Sequence, residues 1–414
     1  MTSAPRHFRK LSSTEAIYVA TGLQVVSRSA VRGQISRAQV QSSVALLESH
    51  FVILRAAAHD GAFVERPSTS PAPLTWHASA VTTTEQLYAT LIDARLDLAQ
   101  GLYQVHVIES AEGCEFFLLT SHAVTDATSL VEIHAFLIHL CDCTVRGMAP
   151  EIQEQPFPNP IDDAVEQALL ALGHGEIPAP APRDYAGAFL QLPTLPSTGE
   201  PGPRRHANHR LEIEAEDLRP VVEAAHRQGV TVHSLIAAAF ARAVLDLAEA
   251  ETRRLVLRFS VDMRRRLEPH VSTHLVFSAI TGHATLIEDV ESPPFELAKR
   301  IHEDMRVSTD SGQVFLDYRN YPRNFAAPQD VPAALNMSDM GRIAFPDTLE
   351  RLQVVGFDYT TAWGKAYPNA SLTIYDGRLV VNTAYRRDLM ESATLERLAE
   401  RVVRQLKVLP HAEA

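Results

Sequence analysis

Apolar and polar positions along this chain change period repeatedly, and helix-like and strand-like stretches follow each other in mixed order. Ser12 or Ser13 is placed to cap a short opening helix, with Glu15 near its positive end. Gly22 to Val31 reads as a strand, with Leu23 and Val25 turned inward. From Ser36 onward, Val40, Val44 and Leu47 recur at helical spacing. Ala56 to His59 and Ala62 to Glu65 flank Asp60-Gly61, a strong hairpin signal. Thr83 to Leu98 reads as a helix and Tyr103 to Ile108 as a strand. The apolar run Phe116 to Leu119 reads as a buried strand, and Ser129 to Ile138 as a helix.

The pattern then breaks. Eleven prolines fall between Pro150 and Pro203, with one helix expected over Asp162 to Leu172. Beyond them the pattern resumes. His209 to Ile213 reads as a strand, Glu214 to Arg227 as a helix, and Thr231 to about Leu247 as a buried Ala-rich helix. Leu255 to Val261 is a strand, 272 to 286 a strand pair, Pro294 to Val307 a helix, and Ala334 to Arg342 a strand. Ser371 to Tyr375 and Arg378 to Tyr385 flank a second Asp-Gly turn, Asp376-Gly377, and Ser392 to Val408 closes as an amphipathic helix. These readings predict a mixed α/β chain with an N-terminal lobe over 1–148, a Pro-rich inter-lobe linker over 149–207 and a C-terminal lobe over 208–414.

Composition narrows the function. The chain has 414 residues, of which 46% are hydrophobic, enough for two cores. A formal net charge of −12 argues against a nucleic-acid partner, and Arg264 to Arg266 is too short a cluster to reverse it. The three cysteines, Cys114, Cys141 and Cys143, have no framework spacing, which points to a reducing compartment and against a zinc site. No uninterrupted apolar run reaches the ~18 residues of a membrane span. The first ten residues precede no signal-peptide core. The expected location is cytoplasmic, with no integral membrane segment.

The candidate chemistry lies in Ser121-His122-Ala123-Val124-Thr125-Asp126-Ala127, between the Phe116 strand and the Ser129 helix. Imidazole is the side chain best suited to move a proton near neutral pH. The stretch resembles the His-His-x-x-x-Asp-Gly signature of the condensation-domain and chloramphenicol-acetyltransferase-like superfamily, and within it the polyketide-associated acyltransferases of the phthiocerol dimycocerosyl transferase type. Ser121 stands where the first His would be and Ala127 where the Gly would be. Val261-Asp262-Met263-Arg264 is similar to the family's Val-Asp-Leu-Arg phrase, and Asn336 to Gly341 to its Asn-x-x-Gly turn. Asp358 to Lys365 is similar to the Asp-Phe-Gly-Trp-Gly phrase of plant BAHD acyltransferases, with spacing two residues longer.

The resemblance implies two chloramphenicol-acetyltransferase-like lobes with mixed sheets and an active-site tunnel between them. It implies His122 as general base, and Asp126 paired with Arg264 as structural support. Ser121, Ser338 and Trp363 are cleft-lining candidates. No metal and no bound cofactor are implied. The donor would be acyl-coenzyme A or an acyl-phosphopantetheine on a carrier protein, and the acceptor a small-molecule hydroxyl, less favourably an amine, in polyketide, lipid or other natural-product biosynthesis. Two alternatives share the scaffold: cyclisation or dehydration of a bound polyketide, and non-catalytic binding of a carrier protein, for which Ser121 is the supporting feature.

Overall fold

In a computed structural model, residues 6–78, 81–173, 185–196, 205–326 and 331–409 are described. In chain order the first half carries β1 (His7–Lys10), α1 (Ser13–Thr21), β2 (Gln24–Arg32), α2 (Arg37–His50), β3 (Ala56–His59), β4 (Ala62–Glu65), β5 (Leu74–His77), α3 (Thr84–Asp93), β6 (Tyr103–Glu109), β7 (Gly113–Ser121) and α4 (Ala127–Val145). Then follow α5 (Asp162–Ala171), β8 (His206–Ile213), α6 (Ala215–Gln228), α7 (Val232–Leu245), β9 (Leu255–Asp262), β10 (Ile280–Ile287), α8 (Pro294–Asp310) and α9 (Gln313–Ala326). The last elements are β11 (Ala333–Arg342), β12 (Gln353–Thr361), β13 (Asn369–Tyr375), β14 (Arg378–Arg386) and α10 (Ser392–Val408). Both Asp-Gly pairs form hairpin turns with positive φ at Asp60, Gly61, Asp376 and Gly377, the conformation a two-residue turn needs to match strand twist.

The chain forms two compact units, and neither is continuous in sequence. The first comprises 1–161, 269–279 and 343–362; the second comprises 162–268, 280–342 and 363–414. This differs from the expected division at 148 and 207, because two segments of the C-terminal half complete the first unit. Of the expected linker, 174–184 and 197–204 lie outside the described residues, and Asp162–Ala171 forms the anticipated helix.

In the first unit a five-stranded sheet runs β12-β2-β7-β6-β5, and a smaller sheet runs β1-β4-β3. β12 pairs antiparallel with β2 from Gln353↔Arg32 to Thr361↔Val25. That strand was not anticipated: Gly356 and Asp358 are poor strand residues. Its partners secure it. Arg28 on β2 forks onto Glu115 of β7 at 2.7 and 3.1 Å and bonds Asp358 of β12 at 3.0 Å. The resemblance of this stretch to the BAHD phrase therefore falls on a carboxylate already held by a half-buried guanidinium. At the other end of the segment, Asp142 of α4 accepts the backbone N–H groups of Glu350, Arg351 and Leu352 at 2.7–3.3 Å. Burial raises the Asp142 pKa, but those donors and Arg146 outweigh it and hold the carboxyl below its ordinary range.

α4 packs across this sheet through His134, which is fully buried. Ser27 Oγ meets its Nε2 at 2.9 Å and Ser29 Oγ its Nδ1 at 2.8 Å. Burial pushes this imidazole down to about 3, so it is a neutral, satisfied core group. Among the described residues α4 is the single helix long and apolar enough by itself to cross a membrane; α6 with α7 passes only as a pair bent by 109°. α4 also carries buried Asp142 and His134 and is 56% buried over its most apolar window, which is the pattern of a core helix.

The second unit has one six-stranded sheet, β10-β9-β11-β13-β14-β8. Leu255, Leu257 and Phe259 of β9, Leu335 and Met337 of β11, and Leu372 of β13 face an apolar core shared with α6, α7, α8 and α10. On the opposite face Asn336, Asn369, Ser371 and Asn382 are polar yet buried. Asn336 donates to Asn369 at 2.6 Å, Asn369 to Ser371 at 3.0 Å, and Asn208 to Asn382 at 2.8 Å. The expected strand pair in 272–286 reduces to β10, because 269–279 leaves this sheet for the first unit. Helix α9 was not anticipated either, since Pro322 lies inside it. It is anchored by His283 of β10, whose Nδ1 meets Asp317 of α9 at 3.1 Å while its Nε2 meets Asp304 of α8 at 2.9 Å.

Two outcomes follow. Asp142→Ala orphans buried N–H groups at about 1–3 kcal/mol each, so urea unfolding is expected to show a lower midpoint, with Asp142→Asn falling between it and wild type. For His283, burial lowers the pKa, but Asp304 and Asp317 outweigh it and raise it above the ordinary imidazole value. Its stabilisation is complete below the unfolded pKa and is lost as pH rises through the folded one. Urea midpoints from pH 5 to 9 are expected to fall less steeply in His283→Gln than in wild type across that window.

Candidate active site

β7 ends at Ser121, and the chain must reverse within five residues to start α4. Each residue of that loop has a holding interaction. Ser121 N–H donates to Leu102 O at 2.8 Å and His122 N–H to Leu23 O at 2.9 Å, so the backbone stays in register with its neighbours past the strand end. Ser121 Oγ accepts from Ala123 N–H at 3.3 Å. Thr125 Oγ1 donates to Ser121 O at 3.2 Å and pairs with Thr120 Oγ1 at 2.7 Å. Ser121 is therefore engaged in shaping the turn. Ala127 opens α4 without a left-handed backbone, so no glycine is required there.

Asp126 is the N-cap of α4, in extended conformation, with Oδ1 accepting Ser129 N–H at 3.0 Å. Its Oδ2 accepts Ala279 N–H at 2.8 Å. Ser129 continues the seam: its Oγ donates to Phe277 O at 2.7 Å and accepts Phe277 N–H at 3.1 Å. Gln155 fastens the same segment by donating to His274 O and accepting Val276 N–H. A carboxylate engaged by two backbone N–H groups is a structural acceptor, which supports the reading of Asp126 as a loop support.

His122 is 6% exposed, and its Nδ1 is buried with no well-aligned hydrogen bond. One face of the imidazole lies on the Tyr18 ring, centroids 4.7 Å apart and planes at 13°. Burial lowers the His122 pKa, opposed by the Asp126 carboxylate and by the backbone carbonyls of His122 and Thr125. Desolvation wins, so the ring is neutral at pH 7. Sequence reasoning missed Tyr18. It is an apolar-face residue of an unremarkable helix, and nothing local signals a contact more than a hundred residues away.

The remaining sequence candidates belong to the second unit. Arg264 is fully buried in a short turn after β9, its N–H and Nη1 bonding Asp262 Oδ1 at 2.9 and 3.3 Å. Ser338 sits on β11 opposite Ser371 of β13, on the polar sheet face. Trp363 is buried, tilted against Tyr367 at 5.8 Å. Ser121, His122 and Asp126 thus share one loop of the first unit, while Arg264 follows β9, Ser338 lies on β11 and Trp363 lies in the connection from β12 to β13. Among the described residues, no group of three or more His, Cys, Asp and Glu is arranged to hold a metal ion.

Asp126→Ala is expected to destabilise the protein by about 0.5–2 kcal/mol for the lost cap and a further ~1–3 kcal/mol for the orphaned Ala279 N–H, measured by urea unfolding. Asp126→Asn keeps an oxygen for one of the two donors and is expected to lose less.

Comparison with known proteins agrees with this architecture. Residues 202–384 match the family model of the phthiocerol/phthiodiolone dimycocerosyl transferase C-terminus. No curated protein matches the chain by sequence. Among solved structures, polyketide synthase associated protein 5 from Mycobacterium tuberculosis is similar at TM-score 0.74 and 17% identity, over 98% of this chain and 99% of that one. The first condensation domain of the CDA synthetase aligns at TM-score 0.72 and 15% identity, over 99% and 97%. Trichothecene 15-O-acetyltransferase from Fusarium sporotrichioides aligns at TM-score 0.70 and 14% identity, over 97% and 94%. Over nearly its whole length the chain shares the fold of these proteins, and residues 202–384 are similar to the dimycocerosyl transferase C-terminal region.

Proposed function

We propose that the protein is an acyltransferase that moves an acyl group from a thioester, on coenzyme A or a carrier-protein phosphopantetheine, to a hydroxyl acceptor in natural-product biosynthesis. The observation that carries this reading is His122: a desolvated, neutral imidazole at a rigid strand-to-helix junction, in a fold that polyketide-associated protein 5 and a 15-O-acetyltransferase share. We assign the ring proton to Nδ1, the enclosed nitrogen, which leaves the Nε2 lone pair to act as base. A neutral alcohol is a weak nucleophile. As its oxygen attacks the thioester carbonyl, Nε2 takes the hydroxyl proton, and as the C–S bond breaks the imidazolium returns that proton to the leaving sulfur. No covalent enzyme intermediate is needed. Asp126 supports the loop in this scheme and carries no proton; Arg264 is assigned a structural role as well.

Ser121 does not weaken the reading, because its hydroxyl has a turn-building role. The test is thiol release from a panel of short- and long-chain acyl-coenzyme A and carrier-bound donors, with and without octanol. Alcohol-dependent release is expected in wild type and a fall of roughly 10²–10⁴-fold in His122→Ala. The acidic limb of the rate is expected below the ordinary imidazole pKa, since burial lowers that of His122. Undiminished release in His122→Ala would sink the assignment, and absence of release from every donor would favour the cyclisation or binding alternatives.

A further inference from the structure

We propose that Arg258 of β9 binds a carboxylate carried by one of this protein's substrates. The inference rests on the acyltransferase reading only for what brings the carboxylate. Arg258 stands between Leu257 and Phe259, which face the apolar core, so strand alternation turns it onto the polar face of the second unit's sheet. It is half-buried there. Arg9, Arg28, Arg66 and Arg264 are also buried or half-buried, and each has a carboxylate: Glu15 for Arg9, Glu115 and Asp358 for Arg28, Glu48 for Arg66 and Asp262 for Arg264. Among the described residues Arg258 makes no ion pair. The sequence has 50 acidic residues against 38 basic ones, so carboxylates are not in short supply. A guanidinium stays charged at any working pH, and withdrawing that charge from water without a counter-charge is costly. A ligand's carboxylate would supply the counter-charge.

The groups around Arg258 are uncharged and leave room for the guanidinium. Its cross-strand neighbours are Ala284 of β10 and Asn336 of β11. The buried Tyr367 hydroxyl accepts a hydrogen bond from it. Burial raises the Tyr367 pKa and Arg258 opposes that rise, so the phenol is neutral at pH 7 and does not balance the charge. The guanidinium lies over Gly282, where a Cβ would stand 2.9 Å from Arg258 Nη2 and 3.6 Å from the Tyr321 ring. Glycine weakens a strand interior, and here its bare backbone gives the fork its place. Asn336 donates to Ser260 Oγ at 3.4 Å and to Asn369 Oδ1 at 2.6 Å, which fixes the amide beside Arg258. One guanidinium among hydroxyl and amide groups suits the single charge and the planar pair of oxygens of a carboxylate.

Octanoate and octanamide share a chain and differ in the charge of the head group, so calorimetric titration with each isolates the carboxylate. Wild type is expected to bind octanoate about 10- to 100-fold more tightly, the worth of a charged hydrogen-bonded pair. In Arg258→Met, which keeps the apolar stem, the two are expected to bind equally. Arg258→Lys keeps the charge without the fork and is expected to retain part of the difference. Equal binding of the two by wild type, or a preference for octanoate that survives in Arg258→Met, would overturn the proposal. Stability separates a ligand-binding guanidinium from a structural one. With no carboxylate left behind, Arg258→Met is expected to keep or raise the urea midpoint; a midpoint lowered as far as that of Asp126→Ala would make Arg258 a structural support and overturn the proposal. Turnover identifies the source, with succinyl- against butyryl-coenzyme A for the acyl group and 10-hydroxydecanoate against decanol for the acceptor. One pair is expected to favour its acid in kcat/KM, and Arg258→Met to erase that preference; no preference for the acid in either pair counts against the site. If no donor turns over, the acyltransferase reading fails and the octanoate titration still decides the role of Arg258.

Discussion

Two backbone N–H groups 150 residues apart in sequence, those of Ser129 and Ala279, are held by the single carboxylate of Asp126. The first starts α4 and the second closes a segment onto it. An exposed cap of this kind is worth about a kilocalorie per mole. A buried one is worth more when lost, because each abandoned donor keeps its full desolvation cost. The His122 loop hangs between β7 and this cap, and the position of the imidazole depends on both ends being fixed.

The same solution recurs wherever the C-terminal half of the chain completes the first unit. Asp358 reaches Arg28 across a sequence separation of 330 residues. Closing a loop of that length costs roughly 5 kcal/mol of chain entropy. A nine-residue strand pairing offsets it, together with a half-buried ion triad and the three N–H groups on Asp142. Buried charges are costly unless fully bonded, and here each has its partners. The carboxylates at these junctions act as joints, and that separates them from His122, the group proposed to move the proton.

That group is defined by what surrounds it. His134 and His122 are both buried in the first unit, and burial lowers the pKa of both. His134 has a serine on each nitrogen and no free valence for chemistry. His122 has a stacked ring on one face and only the backbone carbonyls of its own residue and of Thr125 beside its nitrogens. Neither composition nor spacing separates the two histidines; their surroundings in the fold do.

The sequence by itself determined the elements whose signals are local. The two Asp-Gly hairpins, the Ser-capped helices and the Ala-rich core helix read directly, because turn geometry, capping and periodicity act within a few residues. The His122–Asp126 loop was legible too, since a strand end and a helix cap frame it. Only the tertiary structure decided which unit 269–279 and 343–362 join, that Gly356 and Asp358 lie in a strand, that the alternating polar face of β11, β13 and β14 is buried, and that Tyr18 lies on His122. Each of these depends on energies between residues far apart in sequence: a strand edge awaiting a partner, a guanidinium awaiting a carboxylate, an imidazole face awaiting a ring. Such preferences have no period along the chain, so they become visible only when the chain has folded.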